Sequence, residues 1–268
     1  MKIAFIGGGV MAEAMIKGIL GRGLARPQDI VVSDISEKRR SLLGQVYGVG
    51  TASDNRRAVE GSEIVILAVK PQNLDEVLKD LSGLTRGRLV LSIIARASIA
   101  ALSRGLGNDL VVRAMPNVGA QVGEGVTVWT ASSPVSQPQK ETARAIWGAL
   151  GREIYVEQEK YLDMATAVSG SGPAYIFLVI EALIDAAVHI GWSREMAREL
   201  VVQTVLSSVR LMQETGKHPA ELRNMVTSPA GTTTEGLLQL EKGGVRALFV
   251  QAVIAAYEKS KIFIIGAE

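Results

Sequence analysis

The chain has 268 residues, 47% of them hydrophobic and 21% charged, with a formal net charge of +2. That length supports a substantial core in one large domain or two smaller ones, and the interspersed, nearly balanced charge excludes a basic nucleic-acid footprint or a polybasic membrane patch. Cysteine is absent and the two histidines, His189 and His218, stand far apart, which excludes disulfides, thiolate catalysis and cysteine zinc sites and argues against a histidine metal centre or triad.

From the N-terminus, the apolar runs 2–7, 29–34, 63–69, 88–94 and 109–115 show no clear polar alternation. Strands buried on both faces of a parallel sheet read this way. Helical patterns at 10–21, 36–45, 54–60, 73–81 and 98–105 separate them, which predicts a doubly wound, Rossmann-type sheet. A strand at 125–131, a helix at 137–150 and a last strand at 152–157 complete this domain. From about residue 160 the pattern becomes all-helical, at 160–168, 173–190, 194–214, 218–226, 232–241 and 244–263. The stretch 173–190 is apolar almost all round, which places it in a large core or an oligomer interface. Glu181, Asp185 and His189 within it speak against a membrane span. The opening run MKIAFIGGG is too short to span a bilayer and lacks a signal-peptide cleavage pattern, so a cytoplasmic location is expected. The expected fold class is α/β: a dinucleotide-binding domain over residues 1–158, then a helical dimerisation and substrate-binding domain over 159–268.

Residues 3–15, IAFIGGGVMAEAM, carry Gly7-x-Gly9-x-x-Ala12 directly after a strand and at the start of a helix. Gly7 permits the tight turn, Gly9 lets the backbone approach a pyrophosphate, and Ala12 lets helix and strand pack closely. The helix start then offers free N–H groups to an anion. The second strand runs into Ser33-Asp34, where a ribose-reading acid would sit. Asp34 suits the free 2′-hydroxyl of NAD, whereas Ser33, Ser36, Arg39 and Arg40 suit the 2′-phosphate of NADP; the residues leave both open, and the two arginines read equally as a solvated helix face. AVKPQ at 68–72 lies at the carboxyl edge of the sheet, where such folds bind ligands, and Pro71 keeps Lys70 extended. Asn117, after another strand, is a candidate for the nicotinamide end.

These motifs, with MPN at 115–117, VGEGVT at 122–127, AVSGSGPAYIF at 167–177 and VTSPAGTTTEGLLQLE at 226–241, identify a chain that resembles the pyrroline-5-carboxylate reductases from residue 1 to about 263. The resemblance implies hydride transfer from NADPH to a cyclic imine, giving L-proline as the product of proline biosynthesis; the residues around Asp34 leave NADH open as a donor. It also implies a homodimer, often assembled further into pentamers of dimers, and a small-molecule substrate; the charge balance already argues against nucleic acid or membrane as partner. By position it assigns Gly9, Val10 and Met11 to the phosphate turn, Ser33, Asp34, Ser36 and Asn55 to the cofactor, and Ala68, Val69, Lys70 and Pro71 to the chain beside it. Ser228, Gly231, Thr232 and Thr233 match the substrate loop, and Thr233 matches the residue that touches the ring nitrogen and carboxylate. Ser171, in the small-residue segment SGSGPA, is a further substrate candidate; tight helix packing is the other reading of that segment.

Such a reaction needs alignment rather than a strong base, because a protonated imine already accepts hydride. Gly231, Thr232 and Thr233 follow Pro229 at a helix start, where N–H groups and hydroxyls suit a carboxylate. The same threonines also read as a helix cap and its first turn. Three places depart from the family pattern: Arg96 where a glycine is usual, Val118-Gly119 for Thr-Pro, and Met225 for a polar residue. Arg96 keeps open an imine reductase for another ring or a nucleotide-sensing homologue. The lysine of the related β-hydroxyacid dehydrogenases is absent from SGSGPAYIFLVIEAL.

Overall fold

The structure, a computed structural model, describes residues 1–261. It divides into two compact units: residues 1–171 together with 256–261 of the described chain, and Gly172–Ala255.

The first unit opens with β1 (Ile3–Ile6), α1 (Val10–Gly21), β2 (Ile30–Ser33), α2 (Glu37–Tyr47), β3 (Gly50–Ala52) and α3 (Asn55–Val59). It continues through β4 (Ile64–Leu67), α4 (Leu74–Leu81), β5 (Leu89–Ser92), α5 (Ile99–Leu106) and β6 (Val111–Met115). It closes with β7 (Gly125–Ala131), α6 (Gln137–Gly148), β8 (Gly151–Tyr155) and α7 (Lys160–Ala165). The strands form one sheet in the order β3-β2-β1-β4-β5-β6-β7-β8. The chain order reverses beside β1, the topological switch point at which such sheets bind nucleotides.

The unbroken apolar runs have a simple cause. Along β1, Ile3 and Phe5 enter one core while Ala4 and Ile6 enter the other; along β4, Ile64 and Ile66 part from Val65 and Leu67 in the same way. With period two and helices on both faces, every position of these two strands is apolar. Full burial of each large side chain contributes about 1.5–3 kcal/mol before entropy is counted.

Two features depart from the sequence reading. Strand β3 was not anticipated, because GTA is short and begins with glycine, yet it pairs parallel to β2 with Ser33 opposite Ala52. Strand β7 runs antiparallel to β6. Only residues 116–124 join them, mostly in the 3₁₀ turn Val118–Val122, which is too short for a parallel crossover.

Helix α7 joins the sheet through a buried cation. Arg113 on β6, its side chain 7% exposed, donates to Glu159 at 2.8 Å and Asp163 at 3.3 Å. Glu159 also accepts from the Ile99 N–H at 2.9 Å, tying the start of α5 to the same arginine. After α7 the backbone loosens into a π-helical turn, Thr166–Gly170, and the Ser171 N–H closes onto the Thr166 carbonyl at 2.8 Å.

The second unit contains α8 (Gly172–His189), α9 (Arg194–Thr215), α10 (Pro219–Met225), α11 (Thr232–Lys242) and most of α12 (Val245–Lys261). The last two residues expected for this final helix, 262–263, lie outside the described residues. Helices α8 and α9 pack on each other, yet Ile176, Phe177 and Leu178 on α8 and Leu206 and Val209 on α9 stay exposed. The stretch Lys160–His189 is apolar and long enough to cross a membrane by length and composition.

Candidate active site

A cavity of roughly 720 Å³ opens at the carboxyl edge of β1, β2 and β4. Gly7, Gly9, Ser33, Asp34, Asn55, Ala68, Val69 and Lys70 all line it. The glycine loop owes its shape to two different demands. Gly7 lies at φ +96°, and a Cβ there would stand 2.8 Å from the Ala68 carbonyl oxygen, so only glycine fits. Gly9 has an ordinary φ of −66°, and a Cβ there would meet nothing within 4 Å. Its freedom from side-chain bulk leaves open room above the start of α1, as an approaching pyrophosphate requires. Helix α1 has no side-chain cap. The residues therefore fit a dinucleotide.

Asp34 holds the loop. One carboxylate oxygen accepts from the Gly8 N–H and the other from the Ser36 N–H, each at 2.8 Å. Both oxygens are thus engaged by the backbone rather than reserved for a ribose hydroxyl. Arg39 donates to the Gly8 carbonyl at 2.7 Å and to Glu13 at 2.7 Å, and Arg40 donates to the Asp34 carbonyl at 2.7 Å. The two arginines considered for a 2′-phosphate are anchored on the glycine loop and the end of β2. Tyr47 completes the clamp by donating to Glu13 at 3.1 Å; burial, then this hydrogen bond, raises its hydroxyl above the ordinary tyrosine value.

Ser33 is buried and donates to Asn55 at 2.7 Å, and the Asn55 amide donates to Asp80 at 3.2 Å. Lys70 is extended, at φ −71° and ψ 149°, ahead of the Pro71 turn, as the proline demands. Val10 and Met11 begin α1, and Ser36 caps α2 by accepting from the Arg39 N–H. Asn117 instead accepts from the Val126 N–H at 3.1 Å, bracing the turn between β6 and β7. Sequence reasoning passed over Arg56, which also lines the cavity from the first turn of α3, beside Asn55.

The substrate-loop candidates Ser228, Gly231, Thr232 and Thr233 all belong to the second unit, and Ser171 to the first. Gly231 is the uncapped residue before α11, and a Cβ on it would stand 2.4 Å from the Ser228 hydroxyl. Ser228 and Gly231 must therefore stay small where they touch. The three threonines have separate fates. Thr234 donates to the Ser228 carbonyl at 3.0 Å and closes the loop. Among the described residues, the hydroxyls of Thr232 and Thr233 have no protein partner.

Among the described residues, two that are not glycine have left-handed backbone: Arg96 at φ 65° and Ala230 at φ 56°. Each lies in a loop singled out from sequence. The conformation explains why glycine suits position 96, since a Cβ in this region costs about 1–2 kcal/mol. For the same reason Ala230→Gly is expected to stabilise the protein by roughly 0.5–1 kcal/mol, read as a higher unfolding midpoint in urea.

The chain is similar to known proteins along nearly its whole length. A family model for pyrroline-5-carboxylate reductase dimerisation matches residues 159–262, and one described as NADP oxidoreductase coenzyme F420-dependent matches 2–96. A pyrroline-5-carboxylate reductase of Synechocystis is 42% identical, aligned over 97% of each chain. The crystal structure of a Plasmodium falciparum pyrroline carboxylate reductase with NADP bound is 32% identical, with a TM-score of 0.90 over 98% of each chain. A pyrroline-5-carboxylate reductase structure from Coxiella burnetii is 38% identical, with a TM-score of 0.89 over 97% of each. With likeness this close along nearly its whole length, the chain belongs to the pyrroline-5-carboxylate reductase family.

Proposed function

We propose that this protein reduces 1-pyrroline-5-carboxylate to L-proline with NADPH, the last step of proline biosynthesis. The observation that carries the reading is the uncapped start of α11, where two hydroxyls without a protein partner stand beside free backbone N–H groups. A small carboxylate is what such a group holds without a charged side chain. The bound dinucleotide supplies the hydride. The chain's residues do the rest.

The loop of Gly7 and Gly9, braced by Asp34 and Arg39, holds the pyrophosphate, while Val10 and Met11 present the first turn of α1 to it. Ser33, Ser36 and Asn55 serve the adenosine ribose, and Ala68, Val69, Lys70 and Pro71 flank the cofactor. Thr232 and Thr233 donate backbone N–H groups to the substrate carboxylate. The Thr233 hydroxyl orients the ring nitrogen by accepting from its N–H. Ser228 shapes the loop, and Ser171 is assigned to the same substrate.

Residues 159–268 serve dimerisation and substrate binding, as the dimerisation model over 159–262 supports. Two copies pair through the exposed apolar faces of α8 and α9, pentamers of such dimers are the further assembly the resemblance allows, and the enzyme works in the cytoplasm without nucleic-acid or membrane partners. The test is steady-state NADPH oxidation with and without 1-pyrroline-5-carboxylate. Turnover that requires this substrate and yields proline is expected. Nucleotide binding without turnover, or turnover only with a different cyclic imine, would overturn the assignment.

A further inference from the structure

The cofactor cavity has two cationic side chains in its lining, Arg56 and Lys70. Lys70 follows β4 and Arg56 lies in α3 after β3, with β2 and β1 between those two strands in the sheet. Lys70 follows Ala68 and Val69, the residues that a Cβ on Gly7 would meet, and so belongs with the glycine loop and the pyrophosphate. Arg56 directly follows Asn55, whose side chain bonds Ser33 at the carboxyl end of β2. In sheets of this topology the adenosine ribose lies at that strand end.

The rival cations are committed elsewhere. Arg39 is anchored to the Gly8 carbonyl and Glu13, and Arg40 to the Asp34 carbonyl. The Arg56 side chain is 62% exposed, and among the described residues its guanidinium is held only by Asp80 at 4.0 Å, the outer limit of an ion pair. It is free to turn toward a phosphate. The carboxylates around it are largely occupied. Asp54 accepts from the Arg56 N–H at 2.7 Å, Asp80 from Asn55 at 3.2 Å, and Asp34 from two backbone N–H groups at 2.8 Å. Glu76 is the remaining acid in the lining. With four carboxylates against two cations there, general electrostatic attraction does not draw a phosphate to this end. A directed guanidinium contact must do so.

We propose that Arg56 is the specificity-determining residue that reads the 2′-phosphate of NADP, whereas Arg39 is a positioning residue that holds the glycine loop for either nucleotide. This rests on the NADP use stated above, but its test needs no imine turnover. Calorimetric titrations would use NADP⁺, NAD⁺ and the fragments 2′,5′-ADP and 5′-AMP. Arg56→Met is expected to weaken NADP⁺ and 2′,5′-ADP by about ten- to a hundred-fold, the range of a lost charge-assisted contact, and to leave NAD⁺ and 5′-AMP unchanged. Arg56→Lys should restore part of the loss. Arg39→Met should weaken NADP⁺ and NAD⁺ by the same factor. Equal loss of both dinucleotides in Arg56→Met, no loss at all, or a loss confined to NADP⁺ in Arg39→Met would each overturn the proposal. Wild-type binding of these nucleotides without pyrroline turnover would instead count against the proposed reaction and leave this inference standing.

Discussion

Replacing Gly9 with alanine is expected to weaken NADPH binding by about a hundred-fold or more, roughly 3 kcal/mol, while the protein stays folded. The two effects separate because of the backbone. Gly9 already has a φ of −66°, which any residue adopts, and the added Cβ would meet no protein atom within 4 Å. The cost to the fold is confined to the helix cap, at most about 1 kcal/mol. The methyl group instead occupies the space through which a pyrophosphate must approach the start of α1. Gly7 provides the contrast. At φ +96°, with a Cβ only 2.8 Å from the Ala68 carbonyl oxygen, Gly7→Ala combines backbone strain with overlap. That variant should lose about 2–4 kcal/mol of stability, and binding falls only as a consequence. Urea unfolding of Gly9→Ala beside fluorescence titration with NADPH checks the separation. Wild-type affinity in Gly9→Ala would mean that the cavity does not receive the pyrophosphate. Lost stability in Gly9→Ala equal to that of Gly7→Ala would mean that the glycine is structural.

The sequence makes this loop legible because its logic is local: a strand, a glycine turn and a helix start within a dozen residues. The same holds for the apolar strands, whose continuous runs follow from burial on both faces. Less legible were features set by pairing across the chain. Strand β3 has three residues and a glycine, too little pattern to announce itself, but it sets Ala52 beside Ser33 and leads into α3, where Asn55 and Arg56 lie. Arg39 and Arg40 look like phosphate ligands by spacing alone. Their actual partners, the carbonyls of Gly8 and Asp34, depend on how α2 docks on the glycine loop. Arg96 is a similar case. An unexpected arginine in sequence, it stands in the structure at a left-handed backbone position, so the departure concerns conformation as well as charge. In the substrate loop, three consecutive threonines look equivalent, and only the fold shows that Thr234 is spent on the Ser228 carbonyl.

That division of labour sets up the second large effect. Thr233→Ala is expected to lower kcat/KM for 1-pyrroline-5-carboxylate by about ten- to a hundred-fold at saturating NADPH, the worth of one hydrogen bond to a charged group. Its hydroxyl has no protein partner among the described residues, so removing it leaves no orphaned group inside the protein. Stability should change by no more than about 0.5 kcal/mol, and NADPH binding should be unaffected. Thr234→Ala should behave in the opposite manner. It opens the 3.0 Å bond that closes the loop onto Ser228, which disturbs the whole cradle and shows chiefly as a raised KM. Thr233→Ser keeps the hydroxyl and should recover most of the activity, whereas Thr233→Val keeps the shape without the hydroxyl and should not. If Thr233→Ala retains wild-type kcat/KM, the α11 start is only a helix terminus, and the substrate nitrogen is oriented by another group. If Thr233→Val matches Thr233→Ser, shape rather than hydrogen bonding is what the loop contributes. The expected ordering, Ser well above Ala and Val, separates hydrogen bonding from packing because valine and threonine fill nearly the same volume and differ in the hydroxyl.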